Sequence, residues 1–128
     1  MHPNEEAVRQ GYEAFARRDL PALMDLFSDE ITFVVPGRSI QSGTFSGKDE
    51  VGRYFSLVGA HTEGTHRVEV LDLLANDSRA VALVRALGRR GDQVFDMTVI
   101  HIWEMADQRP VKLLLLPADQ YAFDAFWS

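Results

Sequence analysis

Residues 93–105 read Gln-Val-Phe-Asp-Met-Thr-Val-Ile-His-Ile-Trp-Glu-Met, and the stretch has a period of two. One parity carries Phe95, Met97, Val99, His101 and Trp103, and the other carries Val94, Asp96, Thr98, Ile100 and Ile102. Alternation with β-branched and aromatic residues on both parities reads as a long strand that is greasy on both faces. Strand-like segments near 66–75 and 79–88 precede it, separated by the turn residues Asn76-Asp77-Ser78 and Arg89-Arg90-Gly91-Asp92. A last strand over 111–116 follows Asp107-Gln108-Arg109-Pro110 and is apolar at Leu113/Leu115 and at Leu114/Leu116 alike.

Further from that strand, toward the N-terminus, the period becomes helical. Val8, Tyr12 and Phe15 form one stripe, and Leu20, Leu23, Met24 and Phe27 a second, with Asp19 placed to cap the second helix and Pro21 in its first turn. Ile31-Thr32-Phe33-Val34-Val35 is a short strand stopped by Pro36-Gly37. Residues 37–47 are rich in Gly and Ser and read as an irregular connection, with Gly43 and Gly47 as chain-reversal residues. Ser46 and Asp49 fit a capping box ahead of a third helix, whose stripe is Val51, Tyr54, Phe55 and Val58. Helices first and a meander of strands afterwards predict a single α+β domain over 1–128, its helices packed on one face of a mostly antiparallel sheet. Helices cover only one face, so the greasy outer face predicts a homodimer.

Composition sets further bounds. A chain of 128 residues with 46% hydrophobic and 25% charged side chains is sized for one core and one modest cavity. Cysteine is absent, which removes disulfides, thiolate metal sites and a cysteine nucleophile and suits a cytoplasmic location. A net charge of −6, with the basic residues scattered, argues against nucleic acid as a partner. No apolar run is long enough for a membrane span, and the N-terminus reads as neither signal nor anchor.

Four histidines invite a metal, yet none is expected. His2 stands at a terminus expected to fray, and His61 and His66 flank a Gly-containing loop with no compact ligand spacing, so they read as solvated loop and strand-edge residues. No zinc-protease, P-loop or nucleophile-elbow pattern is present, and no cofactor is expected. His101 differs, because an imidazole in the most apolar strand needs a hydrogen-bond partner or a cavity. Tyr12, on the apolar stripe of the first helix, raises the same question for its hydroxyl.

The order of elements, with "YEAFARRDLPALMDLFSDEITFVVPG" (12–37), "SGTFSGKDEV" (42–51), "VIHIWEM" (99–105) and "PADQYAFDAFW" (117–127), resembles the nuclear transport factor 2-like superfamily, and within it the SnoaL-like and ketosteroid-isomerase-like proteins. The resemblance implies a cone-shaped, strongly curved sheet around three N-terminal helices, an apolar pocket inside the cone, and often a dimer across the outer face. In ketosteroid isomerases a helix tyrosine and a protonated carboxyl donate to the substrate oxyanion while an Asp moves the proton. Tyr12 matches the tyrosine, His101 stands in the place of the carboxyl, and Val35 stands where the Asp would be. SnoaL-type cyclases pair a histidine, matched by His101, with an Asp that maps near Leu116; Asp119 is the nearest carboxylate. The Asp–Arg–Asp set of the epoxide hydrolases has no counterpart. The inferred pocket is lined by Phe33, Val35, Phe55, Val99, Trp103, Leu114 and Leu116, with Tyr12 and His101 as its polar groups. It suits a small hydrophobic molecule. Either an isomerase- or cyclase-type enzyme acting on a carbonyl compound without the usual Asp, or a non-catalytic binding or scaffold module, fits these residues. The aromatic segment 118–128 packs over an edge of the cone, as a lid or as part of a dimer contact.

Overall fold

The computed structural model describes residues 1–128. The chain runs α1 (Pro3–Ala16), α2 (Leu20–Leu26), β1 (Thr32–Val35), β2 (Gly43–Ser46), α3 (Gly47–His61), β3 (Arg67–Ala75), β4 (Arg79–Arg90), β5 (Gln93–Ala106), β6 (Arg109–Pro117) and α4 (Gln120–Phe126). This is the expected α+β arrangement with two additions. Residues 43–46 form a strand within the segment read as irregular, and a fourth helix occupies the C-terminal segment.

The six strands make one open sheet in the order β2-β1-β6-β5-β4-β3. All neighbours are antiparallel except β1 and β6, where Phe33 lies beside Leu113 in parallel register. Helix α1 touches β3, β4 and β6. In a flat sheet β3 and β6 would be about 14 Å apart, too far for one helix to approach both backbones closely, so the sheet curls around α1. Bulges reinforce the curl. Leu71 is the extra residue against β4, and Val111 is the extra residue where Glu104 pairs with Lys112 but Met105 pairs with Pro110.

Capping follows the sequence only in part. Asp19 Oδ1 accepts from the Ala22 amide as expected. Ser46, in contrast, makes no side-chain cap bond; its own amide donates to Glu50 Oε1, so Glu50 rather than Asp49 closes the start of α3. His2 does not fray. Its Nδ1 accepts from the Asn4 amide at the N-terminus of α1, and its Nε2 meets Asp77 at 2.9 Å. Buried Asn4 donates to the carbonyls of Asn76 and Asp77, tying α1 to the β3–β4 turn.

The core is one cluster of 25 buried side chains between the helices and the concave face. Which side of β6 belongs to it is decided by pairing: His101 faces Leu115 and Trp103 faces Leu113, while Ile100 faces Leu116 and Ile102 faces Leu114. Directly opposed residues share a face, so Leu113 and Leu115 point inward with His101 and Trp103. Leu114 and Leu116 lie on the convex face, contrary to the expected pocket lining, and Leu116 is 37% exposed.

Candidate functional site

The concave face, α1, α2, α3 and the C-terminal residues line a cavity of about 80 Å³. A single water needs about 10–15 Å³, so there is room for several waters or a compact ring system. Its wall is predominantly apolar, which is the usual makeup of a small-molecule site. Six of the expected residues meet there: Tyr12, Phe33, Phe55, Val99, His101 and Trp103. Val35 is buried in the core but does not reach the cavity, and Leu114 and Leu116 are replaced in the wall by Leu113 and Leu115. Both parities of β6 are apolar, so hydrophobicity alone could not tell the inner face from the outer.

Periodicity explains how the polar centre assembles. Tyr12 sits on the inward stripe of α1 with Val8 and Phe15, and His101 and Trp103 are two apart on β5 and therefore on one face. Trp103 Nε1 donates to Tyr12 Oη at 3.0 Å, and Tyr12 Oη lies 2.6 Å from His101 Nδ1. The tryptophan takes one acceptor site on the phenol oxygen, and the phenol hydrogen has Nδ1 as its one acceptor in the chain, so it is donated there. That fixes His101 as the Nε2–H tautomer. Nε2 has no partner within the chain and is not among the sealed, unpaired polar atoms, so its hydrogen is offered to whatever occupies the cavity.

Burial holds these groups neutral. It raises the Tyr12 phenol above its ordinary value, against the opposing hydrogen bond from Trp103. It lowers His101 to about 3, and positive charge on His66 pushes in the same direction. Near neutral pH the centre is therefore an uncharged relay of donors: indole to phenol to imidazole to cavity.

Two residues that the sequence reading left aside also line the cavity. His66 forms part of the wall, with Nδ1 3.0 Å from the Leu87 carbonyl, and is not a solvated strand-edge residue. Gln41, in the segment read as irregular, is buried and accepts a hydrogen bond from Tyr54 Oη at 2.6 Å. His61 is also buried, but its Nε2 is committed to the Phe126 carbonyl at 2.6 Å, and it stays outside the wall. Asp119 does not reach the cavity; its side chain caps α4 by accepting from the Ala122 amide. Helix α4 brings Phe123 and Trp127 into the wall, so the C-terminal segment closes the cavity. No group of three or more His, Asp or Glu side chains is placed to hold a metal ion, and no helix is long and apolar enough to cross a membrane.

Comparison with known proteins agrees with this architecture. The profile of the SnoaL-like domain matches residues 8–112. The uncharacterised protein Rv0034 of Mycobacterium tuberculosis is 32% identical over 124 residues, spanning 96% of this chain and 95% of that one. Among solved structures, Bal32a from a soil-derived mobile gene cassette superposes with a TM-score of 0.94 at 31% identity, covering 98% of this chain and 97% of that one. TerC, co-crystallised with polyporic acid, superposes with a TM-score of 0.87 at 19% identity, covering 98% of each chain, which is likeness of fold.

Proposed function

The chain belongs to the SnoaL-like domain family, and from that premise we propose that it binds a compact hydrophobic molecule by a carbonyl oxygen, with His101 as the donor. The observation that carries the reading is the chain of hydrogen bonds from Trp103 through Tyr12 to His101, which orients the His101 Nε2–H in a mostly apolar cavity whose other unsealed, unpartnered side-chain donor is the Gln41 amide. A donor fixed in a low-dielectric, water-poor site holds a ground-state carbonyl. It holds a developing oxyanion more strongly, and such donors contribute about 3–4 kcal/mol to transition states where charge grows on oxygen. An isomerase- or cyclase-type reaction on a carbonyl compound fits that electrostatic arrangement. Non-catalytic binding is the second reading, favoured by the lack of any Asp or Glu in the cavity wall and by valine at the position of the isomerase base. TerC, of the same fold, has been crystallised with polyporic acid, which is consistent with a role of this fold in small-molecule recognition.

The test uses matched ligands. By titration calorimetry, α-tetralone should bind about tenfold more tightly than tetralin, which has the same carbon frame and no oxygen. His101→Leu should erase that preference. Equal affinity for the two compounds in the unaltered protein would refute the reading, and conversion of a bound ketone would separate enzyme from binding module.

The same proposal includes a dimer through the convex face. Leu83, Ile100 and Leu116 lie in one cross-strand row there, each about as exposed as the others at 37–38%, with Ile102 and Leu114 in the next row. The ion pairs Arg85–Asp96 and Lys112–Glu104 flank these rows, giving an apolar centre with a polar rim. Sedimentation at micromolar concentration should give twice the chain mass, and Ile100→Glu should give the single-chain mass. A single-chain mass for the unaltered protein would sink the dimer.

A further inference from the structure

Two titratable groups in the cavity wall are not used by the proposed carbonyl site: Tyr54, whose hydroxyl is committed to Gln41, and His66. His66 stands immediately before β3 and lines both the main cavity and an adjoining one bounded by Arg18 and Asp19. Its Nδ1–H is committed to the Leu87 carbonyl across the β3–β4 ladder, so in the neutral ring the lone pair is on Nε2. That nitrogen has no partner in the chain and is not sealed. The ring is clamped edge-on by Phe15 and by Trp127. Gly88, the residue after Leu87, packs against Thr62, where a Cβ would lie 3.1 Å from Thr62 Cγ2.

The groups around His66 favour the neutral form. Burial opposes protonation most strongly, and Arg18, from the turn after α1, adds to it; together they outweigh the hydrogen bond to Leu87 and hold the ring at about 4. His101, from β5, is close enough for charge on one ring to act on the other. His61, behind Trp127, has its Nε2 committed to the Phe126 carbonyl. Asp19 in the adjoining wall is engaged as the cap of α2. The cavity wall thus carries an imidazole donor from β5, an imidazole with a free lone pair just before β3, and the Gln41 amide between Pro36 and β2.

We infer that the site is two-ended: His66 Nε2 accepts a hydrogen from a hydroxyl or enol on the same molecule whose carbonyl oxygen receives the His101 Nε2–H. The ligand class is then a hydroxylated carbonyl compound of one or two rings. This deepens the proposed carbonyl site and rests on it. A plain ketone would fill the cavity yet leave the His66 lone pair dry, and sites built to pair a hydroxyl discriminate against analogues that lack one.

The experiment titrates tetralin, α-tetralone, the ring-hydroxylated α-tetralones and their methoxy counterparts into the unaltered protein and into His66→Leu. At least one hydroxytetralone should bind tenfold or more tightly than α-tetralone. Its methoxy counterpart, which has no hydrogen to donate, should lose that gain, and so should His66→Leu, while α-tetralone keeps its advantage over tetralin in both proteins. Two results overturn the inference and leave the carbonyl site standing: no hydroxytetralone exceeds α-tetralone, or the hydroxyl advantage survives in His66→Leu. If α-tetralone binds no better than tetralin, the carbonyl site and the two-ended site fall together. The comparison of hydroxytetralones with α-tetralone needs no variant, so it can overturn the inference even if His66→Leu does not fold. His66→Gln, which keeps a polar side chain there, then serves in place of His66→Leu, with the hydroxyl advantage expected to fall and its full retention overturning the inference.

Discussion

Mild acid should destabilise this protein through His66 and His101, and the size of the effect follows from their surroundings. Burial holds His101 at about 3 and, with Arg18, holds His66 at about 4, both well below the 6.5 of an exposed imidazole. A depressed folded-state value means that the unfolded chain binds the proton more readily. The stabilisation is therefore complete above about pH 6.5 and is lost as the pH falls toward the folded-state values. Between about pH 8 and about pH 5 the unfolded histidines become protonated and the folded ones do not; some 1.5 units at about 1.36 kcal/mol per unit give about 2 kcal/mol each, or about 4 together. That is a large fraction of the roughly 5–15 kcal/mol that separates folded from unfolded domains. The assay is urea unfolding across this range for the unaltered protein and for a His66→Leu/His101→Gln variant. His2, His61 and the carboxylates are common to both proteins and cancel in the comparison. The unaltered protein should lose about 4 kcal/mol more than the variant over that range. Parallel pH profiles would refute the argument, because they would mean that these rings ionise as freely in the fold as in the unfolded chain.

Other expectations are local. Asn4→Ala removes two part-buried hydrogen bonds, at 2.9 and 3.1 Å, that tie α1 to the β3–β4 turn. It should cost about 1–3 kcal/mol in urea unfolding. Gly37→Ala forces a Cβ onto the Gln120 and Asp124 side chains at a residue with φ of +96°, so α4 should loosen, which protection of the Phe123 and Trp127 amides in hydrogen exchange would report. Leu115→Ala should cost about 2–5 kcal/mol because it empties a core position, whereas Leu116→Ala on the convex face should cost well under half as much in the monomer; equal costs would mean that the two faces of β6 had been exchanged.

Much of the fold is local and therefore legible in the sequence. The stripes of α1, α2 and α3, the Asp19 cap and the three long strands each follow from residues within one or two turns of each other. What escaped depends on pairing between distant segments. In β2, Phe45 is the only buried residue and glycine opens the strand, so Gly43–Ser46 carries no alternation, and only its antiparallel partner β1 makes it a strand. In β6 both parities are apolar, and the inner one is selected by His101 and Trp103 across the ladder.

The histidines make the same point about chemistry. His61, His66 and His101 are one residue type, and all three are buried or partly buried, yet they are prepared for different tasks. What separates them is the partner of one ring nitrogen. In His61 the Phe126 carbonyl, 65 residues away, takes Nε2 and leaves a structural tether. In His66 the Leu87 carbonyl takes Nδ1–H and leaves an acceptor. In His101 the Tyr12 hydroxyl, 89 residues away, donates to Nδ1 and leaves a donor. A backbone carbonyl or a phenol sets the tautomer, and the tautomer sets whether the cavity is offered a hydrogen or a lone pair. Tyr12 and Phe126 stand in stretches that carry the family resemblance, yet nothing in those stretches pairs either of them with its histidine. Substituting the partner should therefore change the ligand preference even though the histidine stays: Tyr12→Phe frees His101 Nδ1 and lets the ring exchange tautomers, so the preference for α-tetralone over tetralin should weaken without vanishing. Complete retention of that preference in Tyr12→Phe would show that His101 holds its tautomer without the phenol, and that the relay from Trp103 does not govern what the cavity recognises.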